Sequence, residues 1–393
     1  MEYKLYRYRW VVVVLLWLLI FAYGANWFAF SPMLTTFEKQ FNIPNWMAHL
    51  LISLIGMFVI FFAWPAGSLI DKKGPKLSAS IGGFFMALGF GLRPWLLNSF
   101  PTLLLSSILA GIGLAWILVA IAPQMLRWFP EKQASLPIGI VSSGLFIGFG
   151  TGSLAMPLLV AFTSMFNAFL VFAIIAVVSF IVFVVFAKDS PPTPPEKREK
   201  IEKMSFSEGL KLAFTSKNAY LYPIIGFLIV GITLVISAFI HFLYPGEPGG
   251  FIGGILLYGC ALGVFSSPFL AKKYGLKKIA VSSTLGSFIF WLLIFIFYSY
   301  NMSWLFTLAL AFLFGTCFQA SWPLALYSQE TEKGVTEANA GVAAGIYISL
   351  SNIGAATLPV LFGLTFANRQ LTYAAILTSL LLCLILWMAV KRK

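Results

Sequence analysis

Acidic residues are scarce in this 393-residue chain: 13 Asp and Glu stand against 26 Lys and Arg, and charged residues make up only 10% of the whole. A soluble domain carries roughly 25% charged residues, so this chain lacks the polar groups to cover a globule of its size. Cysteine is scarce too. The three present, Cys260, Cys317 and Cys383, each lie in an apolar run, which excludes a disulfide framework and a Cys/His metal spacing. The two histidines, His49 and His241, sit near the ends of such runs, and no carboxylate falls inside one. No cofactor is therefore expected, nor the cluster of titratable groups at one depth that a membrane enzyme needs. The basic surplus raises nucleic acid as a partner. The charges sit in short runs between long apolar stretches, however, which is the pattern of membrane topology and excludes a nucleic-acid role.

Apolar residues are abundant, at 60%. A bilayer core about 30 Å thick takes about 20 helical residues to cross. Twelve runs meet that length, near 11–33, 46–70, 77–98, 101–124, 135–160, 166–187, 219–244, 251–271, 279–300, 304–328, 339–364 and 371–390. The first is longer than the roughly 7–15 apolar residues of a signal-peptide core and has no small-x-small cleavage site, so it is predicted to be a membrane helix. The short alternating segments of a β-barrel are missing. With the N-terminus cytoplasmic, 23 of the 26 basic residues fall on the inner side, leaving only Lys39, Arg93 and Arg369 outside. This bias places both termini in the cytoplasm and the chain in the cytoplasmic membrane. Arg93 is expected to snorkel to the outer interface.

The one long polar stretch runs from Lys188 to Lys217. It opens with Asp189-Ser-Pro-Pro-Thr-Pro-Pro, which cannot continue a helix. Ser205 or Ser207 is expected to cap a short amphipathic helix running to Phe214. The chain thus divides into an N-terminal six-helix bundle (1–187), a linker (188–218) and a C-terminal six-helix bundle (219–393). A shift of about 200 residues brings the halves into register: Gly74 falls on Gly275, Gly139 on Gly341, Gly152 on Gly354 and Pro157 on Pro359. The expected fold class is all-α and polytopic, with twelve transmembrane helices in two pseudo-symmetric six-helix bundles repeated in parallel.

Between the second and third runs the chain reads Gly67-Ser-Leu-Ile-Asp71-Lys72-Lys73-Gly74-Pro75-Lys76. This resembles the signature of the major facilitator superfamily at that loop, G-x-x-x-D-(R/K)-x-G-x-(R/K). The resemblance covers the whole chain and implies a carrier that moves a small solute by alternating access, working as a monomer in the lipid bilayer. Gly67 would permit close helix approach, Gly74 a tight turn. Asp71 would face the N-terminus of the eleventh helix and Arg127, holding the outward-facing state. The second copy of the loop has Pro268 for Gly67 and Lys272 for Asp71, and so lacks the carboxylate. The fourth run keeps Gly111 and Gly113 but not the Arg and Gln of proton-coupled members, which disfavours drug/proton antiport. Gly144, Gly148 and Gly152 at four-residue spacing predict a close-packing face on the fifth run.

Without intramembrane charge, the candidate substrate contacts are uncharged: Tyr23, Asn26 and Trp27 on the first run, Trp116 on the fourth, Gln319 and Trp322 on the tenth, Tyr347 and Asn352 on the eleventh. Such groups suit a neutral polar solute, or a cation held by ring faces; an anion would need Arg93 or Lys39 in the path. The same residues also serve as helix packing, and membrane Trp more often does that than bind a ligand. The run Asn26-Trp27-Phe28-Ala29-Phe30-Ser31 is similar to one in the feline leukaemia virus subgroup C receptor-related branch. That resemblance implies Trp27 stacking on a choline-like cation, with Asn26 and Asn352 hydrogen-bonding it. An organic-anion or monocarboxylate exchanger and a non-transporting receptor of the same fold stay open as alternatives.

Overall fold

The computed structural model describes residues 4–193, 195, 211, 214–244, 247–333, 335 and 340–391. Twelve helices of more than 20 residues follow one another: α1 Tyr8–Phe28, α2 Leu50–Lys73, α3 Pro75–Leu96, α4 Phe100–Trp128, α5 Glu131–Phe162, α6 Met165–Phe186, α7 Asn218–Leu243, α8 Glu247–Tyr274, α9 Leu276–Ser299, α10 Trp304–Glu330, α11 Ala340–Gly363 and α12 Arg369–Ala389. No strand occurs among the described residues. Eleven of the twelve are long and apolar enough to cross a membrane. The other is α3, whose four glycines, two serines and Arg93 dilute its hydropathy although its 22 residues are long enough. The expected first run bends after Phe28 into a 3-10 turn at Ser31–Met33 and a short helix at Leu34–Phe41. The amphipathic helix expected up to Phe214 lies almost wholly outside the described residues.

The helices alternate in direction, so both described chain ends lie on one face, here termed the terminal face; the opposite one is distal. Packing repeats with an offset of six. α1 packs on α5 and α6, α2 on α4, and α3 on α4 and α6; α7 packs on α11 and α12, α8 on α10, and α9 on α10 and α12. The same offset reaches single atoms. A Cβ added at Gly152 would stand 2.2 Å from the Ala25 carbonyl oxygen, and one at Gly354 would stand 2.0 Å from that of Phe227. Ala25 and Phe227 are themselves separated by the repeat distance. The glycine face expected on α5 is present, with Gly144, Gly148 and Gly152 all against α1. Gly74 and Gly275, after α2 and α8, both take left-handed φ of 94° and 96°, which a residue with a Cβ resists. Gly67 departs from expectation: a Cβ there would find only Val119, at 3.8 Å, so no helix approaches closely at that point.

The two groups of six meet through α2 against α11 and α5 against α8. These contacts are tightest near the distal face. A Cβ at Gly56 would sit 2.5 Å from Ala355 Cβ, and Gly150 packs on Gly254 and Tyr258. Ser153 hydrogen-bonds His241 (2.9 Å), and the His49 ring stands edge-on to Phe366 (5.1 Å). Toward the terminal face the described residues lie farther apart: a Cβ at Gly139 reaches Phe265 only at 3.9 Å, and one at Gly345 meets none of them within 4 Å. Among the described residues the halves are therefore in closer contact on the distal side than at Gly139 and Gly345.

Candidate functional site

On the terminal face the chain leaving α6 is tied across three helices. Lys188 and Asp189 follow the end of the helix, and their carbonyls accept from Gln124 Nε2 at 2.9 and 3.1 Å; Trp128 Nε1 also donates to Lys188 O (3.3 Å). The Asp189 carboxylate pairs with Arg127 at the end of α4 and accepts from the Lys76 amide in the first turn of α3 (3.0 Å). A carboxylate at that place also opposes the positive end of α3. Gly74 stands where a Cβ would come within 2.5 Å of Asp189 and 2.8 Å of Arg127, so the turn glycine makes room for the ion pair. Lys188 lies over the Tyr8 ring (4.6 Å), and Tyr6 bonds Thr193 (3.0 Å). Asp71 and Lys72 lie in the last turn of α2, their side chains outside the described residues. Among the described residues Arg127 pairs with Asp189, a residue of the stretch expected to be a linker. An acid directly after a helix end and before Pro-Pro was the available signal.

Among the described residues, the terminal face of the second half has no ion pair to match Arg127–Asp189. Lys277 Nζ donates to the carbonyls of Met388 (3.0 Å) and Val390 (2.6 Å) at the end of α12, a cation on a helix C-terminus. Asn218 exchanges hydrogen bonds with the Lys391 backbone, and Glu332 accepts from Ser216 and Tyr222, both at 2.9 Å. Because the Arg127–Asp189 pair is about one-third exposed, solvent screening limits it to about 1 kcal/mol or less. Asp189→Ala is expected to lower stability by about 1–2 kcal/mol in thermal unfolding of the purified protein. Asp189→Asn should cost roughly half of that, because its amide oxygen still accepts from Lys76 N–H.

Among the substrate candidates, Tyr23 is buried and donates to Ala110 O on α4 (2.7 Å). Both amide hydrogens of Asn26 are engaged, on Ala22 O (3.0 Å) and on Phe172 O of α6 (2.9 Å). Trp27 stands edge-on to Phe149 of α5 (5.3 Å) and to Tyr23 (6.0 Å), and its buried indole N–H has no partner. The indole N–H of Trp116 is likewise buried without a partner. Gln319 accepts from Thr233 of α7 (3.1 Å), Tyr347 donates to Trp322 O (3.2 Å), and Asn352 donates only within its own turn, to Ile348 O (2.9 Å). The structure brings together Tyr23 with Trp27, and Tyr347 with Trp322; the two groups belong to different halves.

Arg93 corrects the sequence expectation outright. Instead of snorkelling to an interface it is 1% exposed. Its guanidinium is sandwiched between Phe30 (3.8 Å) and Phe90 (4.3 Å), donates to Asn26 O (2.7 Å) and Ser106 Oγ (3.2 Å), and keeps Nη2 buried without a partner. The Asn26 carbonyl belongs to the last turn of α1, which ends two residues later. The cation therefore serves a helix C-terminus. Aromatic faces and a backbone oxygen replace the water that snorkelling would have supplied.

Two family descriptions match the chain: Major Facilitator Superfamily over residues 16–247, and MFS/sugar transport protein over residues 139–390. The fold matches the Escherichia coli fucose:proton symporter FucP with a TM-score of 0.69 at 15% identity, over 98% of this chain and all of that one. Apicoplast pyruvate carrier 1 of Toxoplasma gondii is 38% identical over 101 residues, 25% of this chain and 18% of the carrier. The choline/ethanolamine transporter FLVCR1 of Mus musculus is 25% identical over 158 residues, 39% of this chain and 28% of that protein, in line with the likeness seen at Asn26 to Ser31. The chain spans less than a third of the length of these curated relatives. With the repeated six-helix packing, the glycine turns and the family matches in agreement, the chain belongs to the Major Facilitator Superfamily.

Proposed function

We propose that the protein carries a small organic solute, neutral or cationic, across the cytoplasmic membrane. Residues 1–187 and 219–393 act as two bodies rocking about a central path, with the terminal face cytoplasmic and the monomer sufficient. The observation that supports this reading is the uneven contact between the halves among the described residues, tight at Gly56–Ala355 and looser at Gly139 and Gly345. A carrier closed on one side and loosened on the other is one arm of alternating access. Inside the helices the one fully buried cation among the described residues, Arg93, is committed to α1 and two rings, which leaves uncharged groups for the solute. Trp27 and Trp116, with free indole N–H groups, are assigned as contacts, with Tyr347, Gln319 and Asn352 from the other half. Gly67, Asp71, Lys72, Gly74, Lys76 and Arg127 form the gate on the terminal face, to which Asp189 is added.

A thermal-shift screen of the purified chain against amines, amino acids, sugars and carboxylates tests the solute class. Stabilisation by an amine or a neutral solute is expected, and Trp27→Ala should weaken that response about 10-fold, the worth of a desolvated cation–π or indole contact. Unchanged uptake by Trp27→Ala vesicles would remove the aromatic site. A second reading, an organic anion, is favoured by the pyruvate carrier among the relatives and by the unpartnered Nη2 of Arg93. A response to carboxylates alone, lost in Arg93→Met, would establish it in place of the first.

A further inference from the structure

Away from the path between the halves, a cavity of about 590 Å³ opens at the distal ends of α9 and α12, bordered by Tyr298, Asn301, Asn368, Arg369, Gln370 and Tyr373. The one charged side chain in its lining is a cation, Arg369. Asn368 caps α12 by accepting from Leu371 N–H (3.1 Å), so Arg369 and Gln370 form the first turn, where the helix presents its positive end. The Arg369 guanidinium donates to the Tyr298 hydroxyl and lies 5.7 Å from the Phe242 ring and 5.8 Å from that of Tyr298. Among the described residues no carboxylate pairs with it. Tyr373 is 1% exposed, its ring packed on Phe295 (4.6 Å) and Tyr298 (5.9 Å), and its hydroxyl has no hydrogen-bond partner. A buried hydroxyl left unpaired is costly, and here it borders a cavity already lined by the Arg369 cation and a helix N-terminus.

We propose that this cavity seats the phosphodiester headgroup of an anionic phospholipid from the distal leaflet, with Arg369, the first turn of α12 and the Tyr373 hydroxyl as donors. α9 and α12 are peripheral in the packing and expose Ile289, Ile296, Leu371 and Leu382. Acyl chains thus have an apolar flank to lie against directly below the headgroup. Tyr300, exposed at the rim, has the amphipathic character of residues at that membrane depth. A zwitterionic choline lipid brings its own cation, which Arg369 and the helix dipole repel, so the site selects net negative headgroups. It depends on the helices spanning a bilayer and not on which solute is carried.

The test uses the full chain in neutral detergent micelles, titrated separately with phosphatidylglycerol, phosphatidylcholine and inorganic phosphate. Unfolding midpoint and native mass spectrometry of bound lipid are the readouts. Phosphatidylglycerol is expected to stabilise the protein more than phosphatidylcholine. Its apparent affinity should fall about 10-fold or more in Arg369→Gln, the worth of a charge-assisted contact, and by less in Tyr373→Phe. Arg369 is exposed and Tyr373→Phe keeps the ring, so both variants should fold. Equal responses to the two lipids, or an unchanged response in Arg369→Gln, overturns the proposal. A response to inorganic phosphate that matches phosphatidylglycerol and is lost in Arg369→Gln would assign the donors to a free anion and overturn the lipid.

Discussion

Replacing Arg93 by alanine is expected to destabilise the protein by about 3 kcal/mol or more, whereas Arg93→Met should cost about 1 kcal/mol or less. Two opposed terms set the difference. Alanine opens a cavity between Phe30 and Phe90 and leaves the Asn26 carbonyl and Ser106 hydroxyl without their donor. An orphaned buried acceptor costs about 1–3 kcal/mol and a cavity of this size adds a similar amount. Methionine loses the same hydrogen bonds but fills most of the volume and keeps the ring contacts. It also removes a charge that has no carboxylate partner among the described residues, and relieving an isolated buried charge returns several kcal/mol. Thermal unfolding of both variants in one detergent checks the ratio. If Arg93→Met is as damaging as Arg93→Ala, the charge itself is required, and the buried guanidinium belongs to an anion path and not to the end of α1.

The fate of Arg93 shows where the sequence stops being readable. Span positions follow from a local property, the thinness of charge over about 20 residues, and all twelve recur as helices within a few residues of expectation. The repeat was legible because close helix approach removes side chains: Gly152 and Gly354 are glycines for the same reason, a carbonyl of α1 or α7 pressed against them. Gly74 and Gly275 were legible because left-handed backbone favours glycine. What surrounds Arg93 is not local. Its acceptor, Asn26 O, is 67 residues away and its ring Phe30 lies in the turn that follows α1; only Phe90, three residues earlier on the same face, was a usable hint. Asp189 is 62 residues from Arg127 and was hidden in a proline-rich stretch. Asn26 stands out as a polar residue in an apolar helix, which does not say which neighbour it serves, and its amide turns to α6.

Oxidising a chain that carries Gly56→Cys and Ala355→Cys is expected to suppress uptake more than about 10-fold, with reductant restoring it. The positions lie where α2 meets α11 near the distal face. The Cβ of a residue at 56 would stand 2.5 Å from Ala355 Cβ, so parting of the helices by roughly 1 Å brings the pair to the ~3.8 Å separation of a disulfide. Alternating access requires this contact to open once per cycle. A covalent bond there leaves the terminal side free to move and blocks the distal side alone, so it stops turnover without unfolding either half. The native Cys260 and Cys383 are buried and Cys317 is partly so, and the parent chain treated with the same oxidant controls for them. Each single-cysteine variant should transport at one rate with or without reductant. A double variant that thiol alkylation shows to be fully cross-linked and that still transports at the rate of its reduced form would show that α2 and α11 stay in contact throughout, and that the path opens by another route than the separation of the two halves at their distal face.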